Sequence, residues 1–168
     1  MKGRRMFLGL LAGAAAGIFA WRRQQEDRTM TATKTNKTFE LDRTEAEWRQ
    51  ALTPEQFHVL RKHGTERPGS SALNREKRPG MFACAGCGQP LFSSETKYES
   101  GTGWPSFWQP LDQAVETSVD RSLFMTRTEA HCRRCGGHLG HVFEDGPKPT
   151  GLRYCMNGVA MTFQPKES

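Results

Sequence analysis

No acidic residue precedes Glu26, no serine falls within residues 1–20, and no stretch of the chain repeats another or runs to low complexity. Missing repeats exclude solenoids and propellers, which copy one supersecondary unit at a fixed period. A long apolar run is missing too. The run near the amino end stops at Ala20 after about fifteen residues, short for a bilayer-spanning helix but sufficient for the apolar part of a targeting signal. Nor is there a dense basic surface. Lys and Arg number 24 against 18 Asp and Glu, a net charge of +6, and Lys2, Arg4 and Arg5 supply half of that excess. The remainder is close to balanced, which argues against nucleic acid as a partner. A chain of 168 residues suits one domain with a core of its own.

Cysteine is scarce, and its spacing is informative. Of five cysteines, Cys84 with Cys87 and Cys132 with Cys135 form two Cys-x-x-Cys knuckles, each followed by glycine. As disulfides, each pair would close a cramped ring of the kind found in redox motifs. Four thiolates at these spacings better suit one tetrahedral metal site. Zinc is the fitting ion and its role structural, since no ligand position stays open. The glycines permit the turn with positive φ that a knuckle needs. Cys155 is left over, with Arg153 two residues before it. A leftover thiol beside a cation is a candidate nucleophile, although alone it would pass for a small buried apolar side chain.

Residues 1–20 place Arg4-Arg5 ahead of an apolar Gly/Ala-rich run and resemble a twin-arginine export signal. An uncleaved membrane anchor is the alternative, because Trp21-Arg22-Arg23 follows directly. The expectation is an exported, periplasmic protein whose amino-terminal segment engages the export machinery or the membrane. Residues 21–40 read as a flexible linker, and residues 41–168 as the folded domain. Thr44-Glu45-Ala46-Glu47 and Thr53-Pro54-Glu55-Gln56 are helix-start signals for two short helices. Trp48 faces inward from the first; Phe57, Val59 and Leu60 form the apolar face of the second, with Gly64 as its carboxyl cap. His58 and His63 read as solvated or core-edge residues. Residues 65–80 read as a long loop draped over something. Short apolar runs between turn signals then predict antiparallel strands at 81–83, 91–92, 106–108, 122–125, 141–143 and 159–163, a mainly β class.

Three blocks carry a resemblance. Gly101-Thr102-Gly103-Trp104-Pro105-Ser106-Phe107, His138-Leu139-Gly140-His141-Val142-Phe143-Glu144-Asp145-Gly146-Pro147 and Gly151-Leu152-Arg153-Tyr154-Cys155-Met156-Asn157 resemble the signature of the B-type methionine sulfoxide reductases, in that family's order and with its paired knuckles. The resemblance spans roughly residues 44–163, and the combination is specific. It implies a zinc-pinned, tent-like fold of antiparallel β-sheets with two short amino-terminal helices. The activity implied is thiol-dependent reduction of (R)-methionine sulfoxide, mainly in proteins or peptides, to methionine. On the matching positions Cys155 is the nucleophile that ends as sulfenic acid, and His141 the acid that protonates the sulfoxide oxygen. His138 supports it, Asn157 orients substrate or water, and Arg153 is the cation beside the thiolate. Trp104 and Phe143 wall the substrate's methyl group; Cys84, Cys87, Cys132 and Cys135 hold zinc.

One departure has consequences. Many members carry a second cysteine where this chain has Thr102, so no thiol here resolves the sulfenic acid. An external reductant of thioredoxin type is implied, acting on a monomer. Two other classes compete. A zinc-fold binding or chaperone-like module without catalysis would have no use for Cys155, His141, Asn157 and Trp104 together. A nucleic-acid-binding zinc ribbon is suggested by Arg133-Arg134 and a pI near 9.3, and opposed by the charge balance.

Overall fold

The computed structural model describes residues 38–122 and 125–167. The expected export segment, and the linker as far as residue 37, lie outside the described residues. Helices α1 (Glu45–Ala51) and α2 (Pro54–Lys62) begin at the two predicted signals. The Glu47 amide donates to Thr44 Oγ1 at 3.3 Å and the Gln56 amide to Thr53 Oγ1 at 3.2 Å. Glu47 and Gln56 accept from the threonine amides in return, so donors that the helix cannot pair are satisfied from both sides. α2 ends differently from expectation. His63 itself takes the left-handed conformation at the cap (φ 54°, ψ 34°). Gly64 is required by close approach instead, since a Cβ there would lie 2.3 Å from the His58 ring.

Strand β1 (Gly80–Cys84) pairs antiparallel with β2 (Pro90–Ser93) on one side and β9 (Met161–Pro165) on the other. A second antiparallel sheet has the order β3 (Lys97–Tyr98), β4 (Ser106–Phe107), β8 (Arg153–Met156), β7 (His138–Phe143), β6 (Arg127–Cys132), β5 (Val115–Asp120). The mainly β class and the two short helices agree with the sequence. Particular strands do not. The run 159–163 splits into a 3-10 turn, Gly158–Ala160, and a strand starting at Met161. Ser122 lies in the connection between β5 and β6, and Met125 is exposed outside any strand. Leu123 and Phe124, the centre of that expected strand, lie outside the described residues. β3, β5, β6 and β8 have no counterpart among the expected strands.

Aromatic rings join the two sheets. Phe92 of β2 stacks on Phe107 of β4 with centroids 4.3 Å apart, and Phe82 of β1 meets the same ring edge-on at 5.0 Å. Such pairs contribute about 1 kcal/mol each beyond the area they bury. α2 packs on β7 and on the Gly158–Ala160 turn, burying Phe57, Val59 and Leu60. This helix therefore covers the strand that carries the imidazoles and the turn that follows the thiol's strand. Among the described residues no helix is long and apolar enough to cross a membrane.

Candidate active site

The two knuckles meet. The sulfurs of Cys84, Cys87, Cys132 and Cys135 all lie within 4.8 Å of one another, and none forms a disulfide. Cys84 faces Cys135 at 3.8 Å and Cys87 faces Cys132 at 3.5 Å. Gly88 and Gly136, at φ 73° and 67°, turn the chain so that their amides close on the Cys84 and Cys132 carbonyls at 2.8 Å. Four converging sulfurs, mostly buried and with no other ligand atom among them, fit a tetrahedral metal ion with a closed coordination sphere. The chain ahead of α1 wraps the second knuckle. The Leu41 amide donates to Arg134 O at 2.9 Å, and Glu40 pairs with Arg134 at 3.0 Å. The Phe39 ring occupies the space a Cβ at Gly136 would need.

The fifth cysteine lies on the six-stranded sheet, and strand register decides its neighbours. Cys155 on β8 stands opposite His141 on β7 and Ser106 on β4; His141 in turn stands opposite Glu129 on β6, and Glu129 opposite Ser118 on β5. Directly opposed residues of antiparallel strands share a face. Ser106, Cys155, His141, Glu129 and Ser118 thus form one row across five strands. Beside it, Thr102 Oγ1 lies 3.8 Å from the Cys155 sulfur and 2.9 Å from Ser100 Oγ, which in turn lies 2.7 Å from Ser106 Oγ.

Cys155 opens on a cavity of about 130 Å³ walled by Trp104, Phe143, His141, Asn157, Thr65 and Arg127. Larger hollows, one of about 630 Å³ along α2 and one of about 830 Å³ at the β1–β9 edge, contain no thiol. Chemistry, and not size, selects the smaller one. The loop at 65–80 is what reaches over it. Glu66 O accepts from Trp104 Nε1 at 3.2 Å, and the Glu66 amide donates to Asn157 Oδ1 at 2.9 Å. The Glu66 carboxylate accepts from the Gly158 and Val159 amides at 2.6 and 3.0 Å. Asn157 Nδ2 is also committed, to Leu139 O at 3.0 Å. Both polar ends of this buried amide thereby tie the loop to β7, a different employment from the substrate contact expected of it.

Arg153 projects on the same face as Cys155, two residues along β8. Its guanidinium grips Asp145 through two bonds of 2.8 Å and lies 4.4 Å from the Phe143 ring centre. Burial pushes the Cys155 thiol up; the Thr102 hydroxyl and the Arg153 charge oppose it without prevailing, and the Asp145 carboxylate adds to the rise. The expected lowering by a neighbouring cation is thus outweighed, because that cation is already paired and the sulfur is largely withdrawn from water.

The imidazoles are each held by a carboxylate. His141 Nε2 lies 2.9 Å from Asp120 Oδ2, which also pairs with Arg127 at 2.6 Å. Burial lowers the His141 pKa, and the Asp120 bond offsets only part of that. His138, 2% exposed, lies 2.7 Å from Glu129 Oε1 through Nδ1. Its ring meets that of His141 edge-on at 5.3 Å. His63, read as peripheral in the sequence, shares the same Glu129 oxygen at 2.9 Å. Asp120, Glu129, Glu66 and His63 escape sequence reasoning because they sit in ordinary polar segments with no motif around them. Only Asp145, inside the His138–Pro147 block, had a signal.

A reachable sulfur with no second thiol beside it, imidazoles held by carboxylates, and an aromatic-walled cavity together describe a cysteine oxidoreductase on a β fold whose four-cysteine cluster fits a metal ion. Comparison with known proteins narrows this class. Residues 52–165 match the SelR domain, and the chain belongs to that family, the B-type methionine sulfoxide reductases. The peptide methionine sulfoxide reductase MsrB of Methanosarcina barkeri is 56% identical over 128 residues, 76% of this chain and 90% of that protein. MsrB of Leptospira interrogans is 53% identical over 127 residues, covering 75% and 97%. MsrB of Agrobacterium fabrum is 50% identical over 137 residues, covering 81% and 97%.

Proposed function

We propose that this protein reduces (R)-methionine sulfoxide in oxidised proteins and peptides to methionine, at Cys155. The observation that carries the reading is the cross-strand pairing of Cys155 with His141 at the floor of a cavity walled by Trp104 and Phe143. The cavity has room for a side chain and little more, which suits a methionyl group presented by a polypeptide.

The thiolate of Cys155 attacks the sulfoxide sulfur while the oxygen takes a proton, since an unprotonated oxide is a poor leaving group. His141 supplies that proton; a depressed pKa makes its imidazolium a stronger acid, and Asp120 holds the ring in place. His138 supports it from the next position on the sheet face. Trp104 and Phe143 exclude water around the methyl group, and Asn157 fixes the loop that carries Trp104's backbone partner. Arg153, held by Asp145, favours the thiolate against burial. Oxygen passes from the methionine sulfur to Cys155, which is oxidised by two electrons to sulfenic acid as methionine leaves. One external thiol then condenses with the sulfenic acid, releasing water and forming a mixed disulfide. A second thiol releases Cys155 and carries away the disulfide. The donor is a dithiol protein of thioredoxin type, because no second cysteine stands beside Cys155.

Zinc is the ion assigned to Cys84, Cys87, Cys132 and Cys135. It supplies structure and no chemistry to the reaction, as four thiolates leave it no open position. The Arg4-Arg5 pair and the apolar run to Ala20 support export to the periplasm, cleaved or tethered, and a reductant resident there. The working unit of this reading is a monomer. No observation favours a purely binding or chaperone-like module.

The test is single-turnover reduction of resolved R and S methionine sulfoxide peptides without reductant, alongside Cys155→Ser. One equivalent of methionine from the R peptide, a dimedone adduct on Cys155, and no product from the variant are expected. Folded, metal-loaded protein that yields no methionine from either epimer would sink the reading.

A further inference from the structure

Glu129 is the one carboxylate in the row that holds the thiol, and no motif announces it. It stands directly opposite His141 across β6 and β7, yet bonds to neither His141 nor the sulfur. Its Oε1 atom lies 2.7 Å from His138 Nδ1 and 2.9 Å from His63 Nδ1, and its Oε2 accepts from Ser118 Oγ at 2.7 Å. All three partners come from different elements: β7, the carboxyl cap of α2, and β5. At 12% side-chain exposure Glu129 is largely withdrawn from solvent. Burial works to raise its pKa, but the bonds from His138, His63 and Ser118 more than offset that and hold it well below the usual carboxylate range. Glu129 is therefore an anion, and an anion accepts and never donates.

That fixes the chemistry of His138. With an anionic oxygen at 2.7 Å, Nδ1 must carry a proton. In the neutral ring Nε2 is then a bare acceptor, and it is buried with no hydrogen-bond partner among the described residues. An unmet acceptor inside a protein is costly and calls for a use. The ring that bears it touches the His141 ring at 5.3 Å, and His141 lines the cavity. We infer that Glu129 is a positioning residue of the reductase site, locking His138 as the Nδ1–H tautomer so that Nε2 is kept as the proton acceptor behind His141. His63, as the left-handed cap of α2, completes the clamp, which makes the end of that helix part of the site. Asp120 and Arg127 flank His141 from the other side and bond to neither His138 nor Glu129. This rests on the reductase reading, and deepens it by naming which group sets the tautomer.

The test is Glu129→Gln, whose amide can donate to Nδ1 and so no longer enforces a proton there. Nitrogen-15 spectra of the zinc-loaded wild type are expected to show His138 as the Nδ1–H tautomer, and those of the variant to show the Nε2–H form. With the R peptide, kcat is expected to fall roughly ten- to a hundredfold with KM little changed, the size typical when a partner that orients an essential histidine is lost. Glu129→Asp, too short to reach Nδ1, is not expected to rescue. A merely structural role would lower the melting temperature and leave tautomer and kcat of the folded fraction unchanged, which overturns the inference. So does a wild-type His138 found as Nε2–H, a result that needs no variant to fold. Wild type inactive on the R peptide but showing the Nδ1–H tautomer would defeat the reductase reading, and with it any catalytic meaning of the clamp.

Discussion

Asp145 has an effect on Cys155 that its distance in the sequence conceals. It neutralises Arg153 through two 2.8 Å bonds, and its own charge pushes the thiol upward. Asp145→Asn keeps the shape and removes the charge. The Cys155 midpoint is expected to move to lower pH, so iodoacetamide labelling at pH 7 should accelerate several-fold; a tenfold gain in thiolate population would correspond to about 1.4 kcal/mol. A midpoint that rises or stays would show that Arg153 acts on the sulfur only while anchored. Thr102 offers a second change at this scale. Its hydroxyl lies 3.8 Å from the sulfur, so Thr102→Cys places a thiol where it can attack the sulfenic acid. After one turnover the variant should lose two thiols by titration and take no dimedone label. Persistent labelling would show that the 101–103 turn holds the new sulfur away.

Helix α2 is the element on which stability and site geometry meet. Its start depends on Thr53, whose hydroxyl accepts from Gln56, and its end carries His63 onto Glu129. Thr53→Ala is expected to cost about 1 kcal/mol, read as a lower melting temperature. A loss well above that would mean the cap also holds the helix against β7. Helix starts were legible because a capping box is a local pattern of four residues. β5 and β6 were not, for a physical reason. Val115 to Asp120 is half-buried or exposed at every position, and β6 alternates Thr, Glu and His among its few apolar residues. Neither offers the apolar contrast that marks a strand. Glu129 therefore stayed hidden, since its meaning lies in which strands pair, and pairing partners far apart in sequence leave no local trace. Cys155, His141 and Trp104 were legible only through the blocks around them.

At the scale of the molecule, the four-cysteine cluster links the turn after β1 to the turn between β6 and β7, and so one sheet to the other. A structural zinc site contributes folding free energy of about 10 kcal/mol or more. Chelation is expected to lower the melting temperature by tens of degrees and to abolish single turnover together with near-ultraviolet dichroism. Full retention of the melting transition after metal is removed would show that the aromatic contacts among Phe82, Phe92 and Phe107 hold the sheets unaided. The family model matches from residue 52, whereas contacts with the second knuckle begin at Phe39. The folded body thus reaches ahead of the stretch that the family model matches.

The row from Ser106 through Cys155, His141 and Glu129 to Ser118 sets a rule for how this chain can vary in length. Side chains alternate faces with a period of two, so adding or removing a single residue within β6, β7 or β8 would carry its member of the row to the opposite face. Composition, helices and the knuckles would survive such an event while the chemistry vanished. Insertions and deletions should therefore be confined to the connections, such as that between β5 and β6, and the spacing from Glu129 to His141 to Cys155 should change only in steps that a turn can absorb.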